Sequence, residues 1–114
     1  MTNQVLVFIP TYNERENVRE ISRQILEQAP NCDLLFIDDG SPDGTGQVLD
    51  KLAENEPRIE VIHRRAKLGI GSAHQVGISY AYERGYRQLV TMDCDFTHKP
   101  ADIARLLADR QSVV

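Results

Sequence analysis

Asp93-Cys94-Asp95 stands directly behind the apolar run Leu89-Val90-Thr91-Met92. Much earlier, Pro10-Thr11-Tyr12-Asn13-Glu14 follows a similar run. Two carboxylates one residue apart at the end of a buried strand repel each other and resist losing water, so one is expected to protonate. A divalent cation removes that problem. Held by only two protein oxygens, it keeps positions free for a substrate's phosphates. The pair reads as a metal-diphosphate site, with a solvated acidic loop as the plainer alternative.

Other candidate chemistry is weaker. The basic cluster His63-Arg64-Arg65-Ala66-Lys67 follows an apolar run and reads either as a solvated loop or as an anion contact. For the two arginines the solvated loop is the expectation, while Lys67 could contact phosphates. Gly69-Ile70-Gly71-Ser72-Ala73-His74 nearly matches a dinucleotide fingerprint, but His74 replaces the third glycine and the unit follows a third strand. A tight helix start and close backbone packing explain those glycines better. His63, His74 and His98 share no metal spacing and read as structural or surface residues. Cys32 and Cys94 are the two cysteines, far apart and in no metal-ligand pattern, which suggests neither a disulfide framework nor a zinc site. A reducing cytoplasm fits.

The elements that must position these groups alternate regularly. Val5–Ile9 is continuous and rich in β-branched residues, as in a strand buried on both faces. From Glu14 to Gln28, Val18, Ile21, Ile25 and Ala29 recur at helical spacing before Pro30. Leu34–Ile37 is a second strand. It stops at the turn formers Asp38-Asp39-Gly40-Ser41-Pro42-Asp43-Gly44-Thr45, where Ser41-Pro42 resembles an N-cap followed by a first helical proline. Val48, Leu49, Leu52 and Ala53 give the next helix its stripe. Ile59–Ile62 is a third strand, and Gly71–Arg84 a third helix with Gly85 in a helix-stop position. Leu89–Met92 is the fourth strand, and Pro100 opens a last helix carrying Ile103, Leu106 and Leu107. Ser112-Val113-Val114 begins what reads as a fifth strand, so a truncated fragment is expected.

This alternation predicts an α/β fold, a Rossmann-like and mostly parallel sheet flanked by helices. In such sheets ligands bind beyond the carboxyl ends of the strands, near a reversal of strand order. Pro10-Thr11-Tyr12, Asp38-Asp39 and Asp93-Cys94-Asp95 would then converge on one rim. The chain has 114 residues, 41% of them hydrophobic and 26% charged, which fits one domain of modest core. A net charge of −4 argues against a nucleic-acid partner. No apolar run is long enough to span a membrane.

Four segments occur together in this order: Pro10-Thr11-Tyr12-Asn13-Glu14-Arg15-Glu16-Asn17, Asp38-Asp39-Gly40-Ser41-Pro42-Asp43-Gly44-Thr45, Lys67-Leu68-Gly69-Ile70-Gly71 and Asp93-Cys94-Asp95-Phe96-Thr97-His98-Lys99-Pro100. In combination they resemble the family 2 inverting glycosyltransferases, most closely the dolichyl-phosphate mannose synthase and polyprenyl-phosphate branch, over nearly the whole chain. The resemblance implies a GT-A fold, with residues 1–114 as its nucleotide-sugar-binding part and the acceptor part missing. It implies that Pro10, Tyr12 and Glu14 line a nucleotide pocket, with Tyr12 against a base and Glu14 accepting from base or ribose. Ile37 and Asp39 would flank the base, Asp39 accepting from a ring N–H. Guanine and uracil offer such a donor and adenine does not. Asp38 is assigned mainly a structural turn role.

The resemblance further implies that Asp93, the backbone at Cys94, and Asp95 hold Mg²⁺ or Mn²⁺ against the diphosphate, with Asp95 counted as catalytic. Thr97 sits where relatives carry another oxygen ligand; threonine is shorter than glutamine, so a water could intervene. Cys94 stands in place of the more usual alanine and reads as a small buried residue. His98 would steady the metal loop. The implied reaction transfers a sugar, with GDP-mannose the favoured donor and UDP-glucose next, by one inverting displacement onto a polyprenyl or dolichyl phosphate. A phosphate acceptor is already anionic, consistent with the lack of an evident general base. The implied partners are the donor and a lipid phosphate, placing the protein in the cytoplasm or at the cytoplasmic face of a membrane. An edge exposed by truncation could drive homo-oligomerisation.

Two alternatives stand beside this. One is a metal-dependent nucleotide-sugar-binding fragment without catalysis. The other is a haloacid-dehalogenase-type phosphatase using Asp93 as nucleophile, since Asp93-Cys94-Asp95-Phe96-Thr97 also resembles that motif. That family carries the motif on its first strand, and the residues after Asp95 supply none of its later motifs.

Overall fold

The computed structural model describes residues 4–65, 70–92 and 94. The elements run β1 (Val5–Thr11), α1 (Val18–Gln28), β2 (Cys32–Asp38), α2 (Thr45–Asn55), β3 (Ile59–His63), α3 (Ile70–Glu83) and β4 (Gln88–Thr91). The four strands form one parallel sheet in the order β3-β2-β1-β4. The expected α/β architecture is therefore present.

Alternating side chains leave the strands on opposite faces, and both faces are apolar. Val7, Ile9, Leu34, Phe36 and Val90 pack with Val18, Ile21 and Ile25 of α1 and Leu49 of α2. Leu6, Phe8, Leu35, Ile37 and Leu89 pack with Ala73 and Ala81 of α3. Helices α1 and α2 thus cover one face and α3 the other. Right-handed crossovers require this: α1 and α2 lead the chain outward from β1 to β3, and α3 on the opposite face brings it back beside β1. The reversal lies between β1 and β4.

Strand β1 continues through Pro10 to Thr11, further than its apolar run alone suggests. The Phe8 carbonyl accepts from Met92 N–H, while the Thr11 carbonyl accepts from Asp39 N–H. Backbone groups alternate in direction along a strand, so residue 10 faces the β4 side. Pairing with β4 runs from Val5–Gln88 to Phe8–Thr91 and stops before Pro10, so the missing N–H breaks no ladder bond.

Two predicted helix starts are corrected. Residues 14–17 form a turn, in which the Glu14 carbonyl accepts from both Asn17 and Val18 N–H; α1 begins only at Val18. The reason is tertiary, because Asn13 N–H donates to Ser41 Oγ and Glu14 N–H to Thr45 Oγ1. Ser41-Pro42 is likewise not the start of α2. Gly44 holds the N-cap position at φ 92°, and Asp43 Oδ1 accepts from Thr45 N–H at 2.9 Å. Ser41 is held instead by Asp38. The helix stop at Gly85 holds: φ is 78°, and Gly85 and Tyr86 N–H return to the Tyr82 and Ala81 carbonyls in a Schellman arrangement. No described heavy atom comes within 4 Å of where a Gly71 Cβ would stand. Close packing belongs to Gly77, whose Cβ would meet the Phe8 ring at 3.1 Å. No helix among the described residues is long and apolar enough to cross a membrane.

Candidate nucleotide-sugar site

The rim is built by register. Pro10 pairs with Ile37, Thr11 with Asp38, and Asp38 with His63, so β1, β2 and β3 end level with one another. Tyr12, Asp39 and Arg64 are the residues that follow these three strand ends. Tyr12 keeps 37% of its surface exposed, and Glu14 is half-buried. Glu14 Oε2 accepts from Asn17 Nδ2 at 3.0 Å, which fixes the carboxylate beside the turn. Pro10 is half-buried at the end of β1. Ile37, expected to flank a base, is fully buried in the α3-side core and has no solvent-facing side chain here.

The two adjacent aspartates divide their tasks. Asp38 Oδ1 accepts from Thr11 Oγ1 at 2.8 Å and from Ser41 Oγ at 2.6 Å, and its Oδ2 accepts from Ser41 N–H at 3.1 Å. It is a structural post, as its turn position suggests. Asp39 is buried and meets Arg64: Nε donates to Oδ1 at 2.6 Å and Nη2 to Oδ2 at 2.8 Å. Arg64 also donates from Nη1 to Ser72 Oγ at 2.8 Å, and its backbone N–H reaches the Asp38 carbonyl at 2.8 Å. The expectation of a solvated arginine at 64 is wrong, because its side chain is only 9% exposed. Only the strand register of the folded sheet reveals it, since Arg64 follows β3 as Asp39 follows β2.

Gly40 adopts φ 70°, and a Cβ there would lie 2.8 Å from the Arg65 carbonyl oxygen. Only glycine lets the β2–α2 loop pass so close to the chain leaving β3. Asp43 closes the loop. Partial burial pushes its carboxyl up, but bonds from the Thr45 hydroxyl and backbone N–H, with the Arg15 N–H, hold it below the usual range. A groove of about 420 Å³ opens beside this rim, lined among others by Asp38, Gly40, Ser41, His63 and Arg64.

The switch point between β1 and β4 completes the rim. Met92 and Cys94 are buried in the α1/α2-side core, and Cys94 is a small side chain packed inward, as read from the sequence. Lys67, Asp93, Asp95, Thr97 and His98 lie outside the described residues. Among the described residues no three acidic, histidine or cysteine side chains gather as a metal site. His63 and His74 are structural: His63 Nε2 meets Asp50 Oδ1 at 2.7 Å, and His74 stands edge-on to Phe8.

Residues 6–110 match the description "Glycosyl transferase family 2". The chain belongs to this family. Membership sets aside the phosphatase reading of Asp93. The chain is 47% identical over 107 residues to polyprenol monophosphomannose synthase of Mycolicibacterium smegmatis, covering 93% of this chain and 40% of that protein. It is 43% identical over 104 residues to undecaprenyl-phosphate mannosyltransferase of Micrococcus luteus, covering 91% and 43%. The chain thus spans about two-fifths of the length of these curated relatives. Among solved structures, the mannosyltransferase PcManGT from Pyrobaculum calidifontis, in complex with GDP-Man and Mn²⁺, superposes with a TM-score of 0.62 at 26% identity. That match covers 71% of this chain and 25% of the other.

Proposed function

We propose that residues 1–114 form the nucleotide-sugar-binding part of an inverting glycosyltransferase that moves mannose from GDP-mannose to a polyprenyl or dolichyl phosphate. The observation carrying this reading is the level rim of β1, β2 and β3 beside the β1/β4 switch point, in a chain that matches polyprenyl-phosphate mannosyltransferases over nine-tenths of its length. Tyr12 offers an exposed ring for a base, Glu14 and Pro10 border it, and Asp39 accepts from a base N–H. Ile37 is buried in the α3-side core two residues before Asp39.

The donor set suits a hard divalent cation, because Asp93 and Asp95 supply carboxylate oxygens and the buried Met92 and Cys94 anchor this segment at the switch point. Asp93, Asp95, the Cys94 backbone and Thr97 would hold Mg²⁺ or Mn²⁺, which neutralises charge on the departing nucleoside diphosphate. Asp95 is the catalytic residue in this reading, and Lys67 adds a cation for the donor phosphates. A lipid-phosphate acceptor would place the reaction at the cytoplasmic face of a membrane. The outer edge of β3, which no described strand pairs, offers a place for a second copy.

Isothermal titration of the chain with GDP and UDP, with and without Mn²⁺, tests the binding half. GDP should bind only with metal, more tightly than UDP, and Asp95→Ala should abolish binding. A folded chain without metal-dependent nucleotide binding overturns the proposal. A second reading, donor binding without transfer by these residues alone, is favoured by the partial span of the relatives. Metal-dependent GDP binding without mannose transfer to polyprenyl phosphate would select it.

A further inference from the structure

We propose that Arg64 is a positioning residue that fixes the Asp39 carboxylate as the acceptor reading the base edge, and so sets which nucleotide the site admits. The inference rests on the donor-binding reading above. Arg64 grips Asp39 with a two-bond fork, at 2.6 and 2.8 Å, and is tied by a third bond to Ser72 on α3. The two side chains are 9% and 10% exposed. A nearly buried ion pair gains little net stability over an apolar pair of similar size, so stability alone does not account for two charges here.

Geometry supplies an account. A carboxylate has about four lone-pair directions, and the fork takes one on each oxygen. A ligand N–H can still be accepted, but only along directions that the fork has fixed. Guanine and uracil present a ring N–H on their pairing edge. Adenine presents a bare ring nitrogen, whose lone pair would face the carboxylate's own. Arg64 cannot drift away with the carboxylate, because its backbone N–H is bonded to the Asp38 carbonyl and its Nη1 to Ser72. The Gly40 approach to Arg65 locks the same two loops together. Lysine would keep the charge but has no planar fork.

The test is isothermal titration of the whole chain with GDP and ADP in Mn²⁺, with circular dichroism and thermal unfolding on the same samples. Wild type should prefer GDP. Arg64→Lys should keep the folded spectrum and lower GDP affinity about tenfold with ADP affinity little changed, narrowing the GDP/ADP ratio. Ser72→Ala should move the ratio the same way by a smaller factor and keeps the test open should Arg64→Lys fail to fold. Wild-type GDP/ADP ratios in folded Arg64→Lys and Ser72→Ala would overturn the role of Arg64 while leaving donor binding intact. Equal losses for GDP and ADP in Arg64→Lys would also overturn it. A folded wild type that binds neither GDP nor UDP would overturn the donor-binding reading itself.

Discussion

Asp38 and Asp39 are the same residue type side by side, yet their surroundings give them different work. Asp38 is 2% exposed and takes three hydrogen bonds, two from Ser41 and one from Thr11. Removing it would leave those donors without their acceptor inside the rim. Asp38→Ala should destabilise the chain by about 3 kcal/mol, the scale of losing charged hydrogen bonds and stranding their partners, as read by urea unfolding. At this scale the sequence was legible for Asp38, because an aspartate heading a run of turn formers caps its own loop. It was not legible for Arg64. A side chain at the end of one strand cannot be matched to a partner until register places their strand ends level.

At the scale of elements, two glycines of the α3 segment set up a contrast. Gly77 sits where α3 crosses the sheet, and a Cβ there would stand 3.1 Å from the ring of fully buried Phe8. Alanine would gain about 1 kcal/mol of helix propensity. Overpacking costs about 1–3 kcal/mol, and Phe8 has no room to yield. Gly77→Ala should therefore lower the thermal midpoint. Gly85 has φ 78°, but no described heavy atom lies within 4 Å of where its Cβ would stand, so only backbone strain opposes a side chain there. Gly85→Ala should cost about 1–2 kcal/mol, while Gly85→Asn should cost less. Thermal unfolding of the three variants separates packing from conformation. The stop at Gly85 could be read from sequence because it is local. The turn at residues 14–17 could not, because Ser41 and Thr45 bind Asn13 and Glu14 from another loop.

For the whole molecule, the acid limb of stability has a specific contributor. Glu56 closes the α2–β3 turn: its carboxylate accepts from Arg58 N–H at 3.0 Å, Nε at 2.9 Å and Nη2 at 2.7 Å. Arg58 Nη1 reaches the Pro30 carbonyl, and its own carbonyl accepts from Leu34 N–H, tying the turn to the start of β2. The Arg58 guanidinium holds the Glu56 carboxyl down from 4.5 to about 2. A lowered folded-state value means that this contribution is complete above 4.5 and is lost as pH falls towards 2. Unfolding free energy measured in urea should decline across that window. Glu56→Gln should lower stability at pH 7 and flatten this part of the profile.

The alternation of strands and helices, the placing of acidic and aromatic clusters behind strand ends, and the family those clusters resemble were all readable along the chain. Each depends on local pattern: apolar runs, turn formers and fixed spacing need no knowledge of distant partners. Folding settled the rest, namely that Ile37 faces the core, that α1 starts late, and that Arg64 leaves solvent for Asp39. Those outcomes depend on strand register and on loops meeting across the rim, where partners some 25 residues apart in the chain come within hydrogen-bonding distance.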